Sequence, residues 1–383
     1  MPRLSSITLL LALFLTAWPA GQDDPALVAK SQEFSRLLRE KNYVGALVAG
    51  DEAISLARQG KHPALGPLLY NKACVLALLG RREEAVGAAR EAVAAGYTKY
   101  QMFASDSDLD PLRDMPAFRA LLAELRETYG PKPLAWDQTR TASSFVQTFD
   151  DPAAPELATL RREFGLDALV QGLTGDYARL KALTEWASRQ WQHSPTQMAS
   201  KPDPLTILRE ARAGGRFICR DYAIVVAGAA RALGLYARVL NLLPADVETR
   251  SEAHSVAEVW LPSRGKWVLA DGQYGVIAER AGEPLGGVDL QAALARDDSH
   301  VSCPAGAARC REWKAFILPN MFYFKTAADQ RRFGGGAGPQ LVLVPRGAPD
   351  PRKFAGGNEE VFAGSVYISD PRVFYASPRP RGR

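Results

Sequence analysis

The chain is short of the two residue types that most often carry nucleophilic and metal chemistry, with four cysteines and four histidines among 383 residues. It also lacks a basic stripe interleaved with aromatic residues, although its net charge is +5. Nucleic-acid binding needs such a stripe, so no nucleic-acid partner is expected. No low-complexity tract is present, and a composition of 47% hydrophobic and 23% charged residues is typical of globular domains. The length favours two domains and a flanking extension.

Beyond the first twenty residues, no apolar run approaches the length of about 18 residues that a membrane-spanning helix needs. Within them, a positive Arg3 precedes an apolar stretch at 7–15, and small residues follow at Ala17 and Ala20. This layout predicts a signal peptide over 1–20, cleaved after Ala20 or, as a second choice, after Ala17. The protein is therefore expected to be exported, to the periplasm, the cell envelope or the medium. An uncleaved anchor is the alternative, and it would provide the only membrane contact expected.

Residues 25–129 show helical periodicity throughout, in two pairs of amphipathic runs separated by a loop rich in glycine and proline. Small residues recur seven apart in the second run of each pair, at Ala46 and Ala53 and again at Ala85 and Ala92. Small side chains two turns apart allow helices to cross closely, as in stacked helical hairpins. This region is predicted to be an all-α domain.

The second pair resembles a tetratricopeptide repeat, with Tyr70, Ala73, Gly80, Ala85 and Ala92 in the expected order. The first copy is degenerate, and the two copies are offset by 39 residues, against about 34 in the family. The resemblance implies a groove for a peptide or a protein partner. The alternative is a packing scaffold that orients the second domain.

Three aspartates, Asp106, Asp108 and Asp110, alternate as they do in some calcium loops. No glycine or distal glutamate completes that pattern, so we interpret them as part of the loop that closes the repeats. No metal and no cofactor is expected in this chain.

A Gly-Pro-Lys-Pro sequence marks the end of the helical domain. Residues 130–154 mix Pro, Asp, Thr and Ser with a β-prone piece at 144–146, which predicts a linker or an edge strand. A second domain with helices followed by strands is expected at 155–311. A β-rich extension with a basic tail is expected at 312–383. The predicted fold class is therefore α+β.

Cys219 opens a small, apolar helix that follows two glycines. A thiol in the first turn of a helix feels the positive helix terminus, which favours the thiolate, and the free N–H groups there can stabilise an oxyanion. Cys74 lies in an apolar helical pattern, while Cys303 and Cys310 could close a local loop, a bridge that the sequence alone does not establish. A buried, inert cysteine is the alternative for Cys219.

Two alternating segments after this helix, 254–261 and 266–271, predict an antiparallel hairpin joined by a short turn. Their pairing would bring His254 and Asp271 together at the open end of the hairpin, facing the helix of Cys219. The predicted roles are nucleophile for Cys219, general base and later acid for His254, and orienter of the imidazole for Asp271. Alternatively, His254 is a surface residue and Asp271 simply starts a turn.

The other histidines, His62, His193 and His300, occur in polar or loop contexts and are not assigned to the site. Trp186 and Trp191, on the helix before Cys219, are predicted to pack in the core. A wall for an acyl substrate is their alternative role.

Residues 157–275 resemble the transglutaminase-like superfamily, a branch of the papain-like folds. The matching pieces are Gly-x-x-x-Cys-x-x-Tyr-Ala, Ala-Leu-Gly-x-x-Ala-Arg-Val, His-x-x-x-Glu-Val-Trp-Leu-Pro and Trp-Val-x-x-Asp-Gly, which include Cys219, His254 and Asp271. Phe217 departs from the Gly-x-Cys arrangement of many members, a change expected to narrow the pocket or reshape the oxyanion environment. The resemblance supplies no metal site.

The resemblance implies cysteine-dependent acyl transfer or hydrolysis on amide bonds of proteins or peptides through a thioester. Water as the acceptor would make the protein a peptidase or amidase, and a lysine amine would make it a crosslinking transglutaminase. The alternative is a non-catalytic interaction module of the cell envelope, in which the repeats and a degenerate core bind a protein partner. A cell-wall amidase is a third hypothesis, which rests on export alone.

Overall fold

The computed structural model describes residues 24–141, 147–149, 151, 153–303, 307–331, 337–356 and 359–378. The predicted signal peptide lies outside these residues, as do the β-prone piece at 144–146 and the end of the basic tail. The chain divides into two compact units, with the boundary between Gly130 and Pro131. None of the helices in the described ranges is long and apolar enough to cross a membrane.

The first unit is helical. Its helices are α1 (Pro25–Arg39), α2 (Tyr43–Gln59), α3 (Leu65–Leu78), α4 (Arg82–Ala94), α5 (Tyr100–Ser105) and α6 (Pro116–Tyr129). A 3₁₀ turn at Ser107–Leu112 lies between α5 and α6.

Local sequence explains where several of these helices begin. The side chain of Asp24 accepts a hydrogen bond from the N–H of Ala26, and that of Asn42 accepts one from Gly45, so α1 and α2 both begin at side-chain caps. The turn before α4 needs a left-handed residue, which Gly80 supplies at a φ of +75°.

The first four helices form two hairpins, because α1 packs on α2 and α3 packs on α4. The small residues predicted to allow close helix packing are fully buried: Ala46, Ala53, Ala85 and Ala92. Hairpins with buried small residues agree with the sequence pattern. Their membership of the tetratricopeptide family stays a prediction.

The second unit mixes helices and strands. Its helices are α7 (Pro155–Glu163), α8 (Leu166–Leu169), α9 (Asp176–Ser188), α10 (Pro204–Arg212), α11 (Cys219–Ala232), α12 (Gly287–Arg296), α13 (Ala307–Ile317) and α14 (Pro371–Phe374). Its strands are β1 (Thr148–Phe149), β2 (Ala237–Leu243), β3 (His254–Leu261), β4 (Lys266–Ala270), β5 (Glu279–Arg280), β6 (Glu283–Pro284), β7 (Val301–Ser302), β8 (Tyr323–Gln330), β9 (Ala337–Leu343) and β10 (Val366–Ile368).

In the described part of this unit, seven strands form the main sheet. Six follow the order β10-β9-β8-β2-β3-β4, and β1 pairs with β8. Neighbours are antiparallel except for the β10–β9 and β1–β8 pairs, which are parallel. The predicted hairpin corresponds to β3 and β4, which pair with Ala257 opposite Ala270.

Both faces of the sheet are covered, because successive residues of a strand point to opposite faces. On one face, Val239 and Val259 pack with the buried helix α11 and its neighbours α7, α9 and α10. On the other, Leu240 and Val256 pack with residues of α12 and α13. The helix that begins at Cys219 is therefore fixed against the middle of the sheet.

The C-terminal strands extend this same sheet, since β8 is hydrogen-bonded directly to β2. The predicted boundary between residues 311 and 312 falls inside α13. The predicted linker at 130–154 also contributes to the unit, because β1 adds to the sheet and Trp136 lies 6.0 Å from Phe324, centroid to centroid. The segment from 312 onward thus shares one sheet with the segment before it.

Candidate active site

Cys219 is the first residue of α11 and is partly buried. The residue before it, Ile218, is extended, and no side chain caps the helix, so N–H groups of the first turn point outward beside the thiol. The approach turns at Gly214, which has a φ of +96°. The sequence therefore places a thiol at the positive end of a buried helix, where a thiolate is favoured.

His254 and Asp271 lie together at the open end of the β3–β4 hairpin, as the sequence pattern predicts. His254 begins β3, Asp271 directly follows β4, and both are buried. His254 Nε2 lies 2.8 Å from Asp271 Oδ2. The other ring nitrogen, Nδ1, is buried and makes no hydrogen bond to a nitrogen or oxygen atom of the described residues. This nitrogen is the one left for the thiol of Cys219.

The carboxylate of Asp271 is held on both oxygens. Its Oδ1 accepts the N–H groups of Gln273 and Tyr274, at 3.0 and 3.2 Å. Its Oδ2 accepts the indole N–H of Trp313 at 2.8 Å, in addition to the contact with His254. A carboxylate with this many donors is fixed in orientation and favoured in its ionised form.

Close packing holds Asp271 near α11. A Cβ added to Gly272 would lie 2.7 Å from Val226 Cγ2 and 3.1 Å from the carbonyl oxygen of Tyr222. A larger residue would force the side chain of Val226 or the backbone of α11 to shift. The glycine after Asp271 is therefore required by the packing of the hairpin on α11, rather than by a turn alone.

The electrostatics of the site favour a thiolate. Burial raises the pKa of the Cys219 thiol, but the interaction with His254 and the N–H of Ser255 lower it by more, so the net pKa lies below its ordinary value. The thiol therefore ionises more readily than a free cysteine, which makes it a stronger nucleophile at neutral pH.

The electrostatics also favour a charged imidazole. Burial opposes the charge on His254, but Asp271 and Cys219 outweigh it and raise the histidine pKa. Burial likewise opposes the charge on Asp271, while His254 and the indole N–H of Trp313 lower the pKa of that carboxyl. A thiolate–imidazolium pair backed by a carboxylate can attack an acyl carbon and then protonate the leaving group.

Aromatic side chains surround His254. The ring of Phe316 meets it edge to face at a centroid distance of 4.9 Å, and Tyr274 lies 5.5 Å from Phe316. Phe316 itself is 38% exposed, whereas His254 is 1% exposed. Phe316 therefore packs on the buried imidazole while part of its own side chain reaches solvent.

Sequence reasoning missed several neighbours of the site, among them Trp313, Phe316 and His193. Trp313 and Phe316 lie in the segment predicted to be a β-rich extension, and no local motif marks them. His193 was set aside as a loop residue, yet burial and the charge of His254 lower its pKa, which brings it into the electrostatic range of the site. Its neighbour Ser194 donates its N–H to the carbonyl of Phe217, two residues before Cys219.

The disulfide that the sequence left open is present between Cys303 and Cys310, with their Cα atoms 5.8 Å apart. Cys310 lies in α13, the helix that also carries Trp313 and Phe316. Cys74 is buried in the first unit.

Phe217, which was expected to narrow the pocket or reshape the oxyanion environment, lies in the core, and its effect on the site stays a prediction. Its side chain is 1% exposed and its ring packs edge to face on Trp191 at 5.7 Å, so it fills the core. Trp191 also stacks on Tyr222 at 4.1 Å and donates its indole N–H to the carbonyl of Phe217 at 3.4 Å. Trp186 packs against the same core. These contacts agree with the predicted packing role of both tryptophans.

One group in the first unit could hold a cation: ligand atoms of Cys74, Asp106 and Asp108 lie within 4.8 Å of one another. Internal contacts already explain this group. Asp106 accepts the Tyr70 hydroxyl at 2.6 Å and the N–H of Asp108 at 3.0 Å. Burial also raises the pKa of Asp108 to about 6, which makes it a weaker cation ligand.

Comparison with known proteins supports the class of the second unit. Residues 166–272 match the family model described as the transglutaminase-like superfamily, a range that contains Cys219, His254 and Asp271. The second unit thus carries a transglutaminase-like domain, and the chain as a whole combines a helical N-terminal region with this core.

Among solved structures, the chain is similar to one from Cytophaga hutchinsonii, described as "a Putative Cysteine Protease". The sequence identity is 15% and the TM-score is 0.27. The match covers 41% of this chain and 50% of that one, so the chain spans about half the length of that protein. No protein with a curated description matches the chain.

Proposed function

We propose that the protein is a cysteine-dependent enzyme that transfers or hydrolyses acyl groups of protein or peptide amides through a thioester. Cys219 is the nucleophile, His254 the general base and later acid, and Asp271 the residue that orients and charges the imidazole. The observation that carries the proposal is the buried contact of 2.8 Å between His254 and Asp271, next to a thiol whose pKa the interaction with His254 lowers.

The reaction starts with attack of the Cys219 thiolate on the amide carbon, which forms a carbon–sulfur bond and moves an electron pair onto the carbonyl oxygen. N–H groups of the first turn of α11 stabilise that oxyanion. Collapse of the intermediate breaks the carbon–nitrogen bond, and the imidazolium of His254 gives its proton to the leaving amine. The product of this half is a thioester on Cys219.

The second half regenerates the thiolate. His254, now neutral, accepts a proton from the acceptor as it attacks the thioester carbon, and the carbon–sulfur bond breaks. Water gives a carboxylic acid and a lysine amine gives a new amide. The choice depends on how well the pocket excludes water, so both outcomes belong to the proposal.

The remaining predictions fit this activity and are proposed with it. The core is a papain-like, transglutaminase-type domain, and the helical hairpins are tetratricopeptide-like repeats that contact a peptide or protein partner. The protein is exported, and its substrates are proteins or peptides of the envelope or the medium.

A second candidate is a non-catalytic interaction module. Its support comes from α2 in the first unit, where Val44 and Val48 are 68% and 58% exposed. The two residues are one helical turn apart, so they form one apolar patch, and an exposed apolar patch is a feature of partner-binding surfaces.

The pH dependence of Cys219 alkylation by iodoacetamide, followed by mass spectrometry, separates the two candidates. In the wild type we expect a midpoint below that of an ordinary thiol, about 8.5. His254→Ala should raise the midpoint, because it removes the charge that stabilises the thiolate. His300→Ala, which alters an exposed histidine, is the matched control and should change nothing.

A Cys219 that reacts as an ordinary thiol and ignores His254 would contradict the enzyme and favour the interaction module. If the midpoint is low, release of ammonia from glutaminyl peptides and of new termini from proteins, with and without added amine, then identifies the acceptor. Cys219→Ala should abolish every such activity.

A further inference from the structure

The indole of Trp313 supplies a side-chain contact of Asp271 that lies outside both the sequence motifs and the family match. Trp313 lies on α13, is fully buried, and donates its N–H to Asp271 Oδ2 at 2.8 Å. It is outside the residues 166–272 that match the transglutaminase-like family.

The same oxygen serves two donors, since His254 Nε2 also lies 2.8 Å from Oδ2. The two donors approach from different elements, α13 and β3, while backbone N–H groups hold Oδ1. Rotation of the carboxylate would break at least one of these contacts. Without the indole, the contact with His254 would be the only hydrogen bond that Oδ2 makes with the described residues.

We infer that Trp313 is a positioning residue for the proposed acyl-transfer reaction. Its role is indirect, because it is hydrogen-bonded to Asp271 and acts on the imidazole through that carboxylate. With the carboxylate held, the imidazole keeps one orientation, in which Nδ1 faces Cys219 and the thiolate is stabilised. This inference rests on the proposed function of Cys219, His254 and Asp271.

The surroundings of Trp313 fit that role. A buried indole N–H needs a partner, and a backbone carbonyl is enough, as it is for Trp267, which donates to the carbonyl of Ala376 at 3.0 Å. Trp313 instead bonds the site carboxylate. The helix that carries it is tied by the Cys303–Cys310 bond and places Phe316 against the His254 ring. α13 therefore contacts two of the three site residues.

The test is the pH profile of Cys219 alkylation by iodoacetamide in Trp313→Phe, with Trp267→Phe as the matched control. Both changes remove an indole N–H from a buried ring, but the second lies away from the site. The titratable groups facing His254 and Asp271 are Cys219, His193 and Tyr274, and both variants retain them.

We expect Trp313→Phe to raise the alkylation midpoint by about one pH unit, the effect of one hydrogen bond, and Trp267→Phe to leave it unchanged. Thermal unfolding checks that both variants are folded. Should Trp313→Phe unfold, an isosteric benzothienyl analogue at position 313 removes the N–H and keeps the packing, and the same rise is expected.

A folded Trp313 variant with an unchanged or lower midpoint would overturn the positioning role and leave the proposed function intact, provided that the wild-type midpoint is low. A wild-type Cys219 that reacts as an ordinary thiol would overturn the proposed function, and this inference with it.

Discussion

At the residue scale, the charges of Cys219, His254 and Asp271 depend on one another. The pKa of the histidine is raised chiefly by Asp271, against the effect of burial. A histidine with a raised pKa contributes stability that is fully present below its ordinary pKa of about 6.5 and is lost as pH rises through the raised value. The imidazolium, and with it the proton that the proposed reaction gives to the leaving group, is therefore retained at neutral pH.

We expect Asp271→Asn to lower the pKa of His254, because it removes the charge that outweighs burial. The titration midpoint of His254 can be read by NMR from its ring resonances. With four histidines in the chain, the ring signals are few enough to resolve. In the wild type the midpoint should lie above about 6.5. Asp297→Asn removes the partner of the exposed His300 and should leave His254 unchanged. A wild-type midpoint at or below the ordinary value would contradict the raised pKa.

We expect Gly272→Ala to destabilise the second unit by about 1–3 kcal/mol, because its Cβ would overlap Val226 on α11. Urea unfolding measures the change. Gly87→Ala is a useful contrast, since a Cβ there meets nothing within 4 Å and the residue lies inside α4. That variant should stabilise its helix by about 0.5–1 kcal/mol. If the two substitutions changed the free energy of unfolding by the same amount, the contact between Gly272 and α11 would not be tight.

The positions of Cys219, His254 and Asp271 could be predicted from the sequence because each carries a local signal. Cys219 follows a glycine pair and opens an apolar helix, and His254 and Asp271 sit at the ends of two alternating segments. Trp313 could not be predicted, because its contact with Asp271 depends on where α13 packs. Neither periodicity nor composition encodes that placement.

At the scale of elements, α13 is the part of the fold that the sequence pattern described least well. Its bounds cross the predicted domain boundary, and its partners are distant in sequence. The helices of the first unit and the β3–β4 hairpin were predictable, because their contacts are local and their periods are 3.6 and 2. The pairing of β8 with β2 was not, since antiparallel strands so far apart in sequence are matched by tertiary packing.

We expect replacement of Cys303 and Cys310 by serine to lower the stability of the second unit by roughly 2 kcal/mol, as for a short disulfide loop. The Cys219 alkylation midpoint should also rise, because α13 carries Trp313 and Phe316. Urea unfolding and the alkylation profile measure the two effects. Reduction of the disulfide should produce the same two effects in the wild type. It should change neither the stability nor the alkylation midpoint of the variant that carries both serines. A stable variant with an unchanged profile would show that α13 keeps its place without the bond.

At the scale of the whole second unit, a buried ion pair joins the sheet to the C-terminal segment. Arg238 on β2 donates to Glu258 on β3 at 2.9 and 2.7 Å, and both side chains are fully buried. The same guanidinium donates to the carbonyl of Phe374 at 2.9 Å and lies 4.4 Å from the ring centroid of Trp267. One side chain thus connects two central strands with α14.

We expect Arg238→Met to destabilise the second unit by about 3–5 kcal/mol, because Glu258 would be left as an unpaired buried charge. The double variant Arg238→Met/Glu258→Leu should recover much of that loss, since it removes both charges. Urea unfolding of the single and double variants measures the difference. A double variant no more stable than the single one would show that the contacts to Phe374, and not the unpaired charge, dominate.

The bond from Trp313 to Asp271 also gives the protein a built-in spectroscopic reporter. The indole proton of Trp313 should resonate well downfield of the other indole protons, because it is hydrogen-bonded to a carboxylate. It should also exchange slowly with water, because the donor is fully buried. Its chemical shift would follow the charge on Asp271 and hence the state of His254. The proposed turnover at Cys219 could then be followed in the unlabelled, unmodified protein through the signal of this one proton.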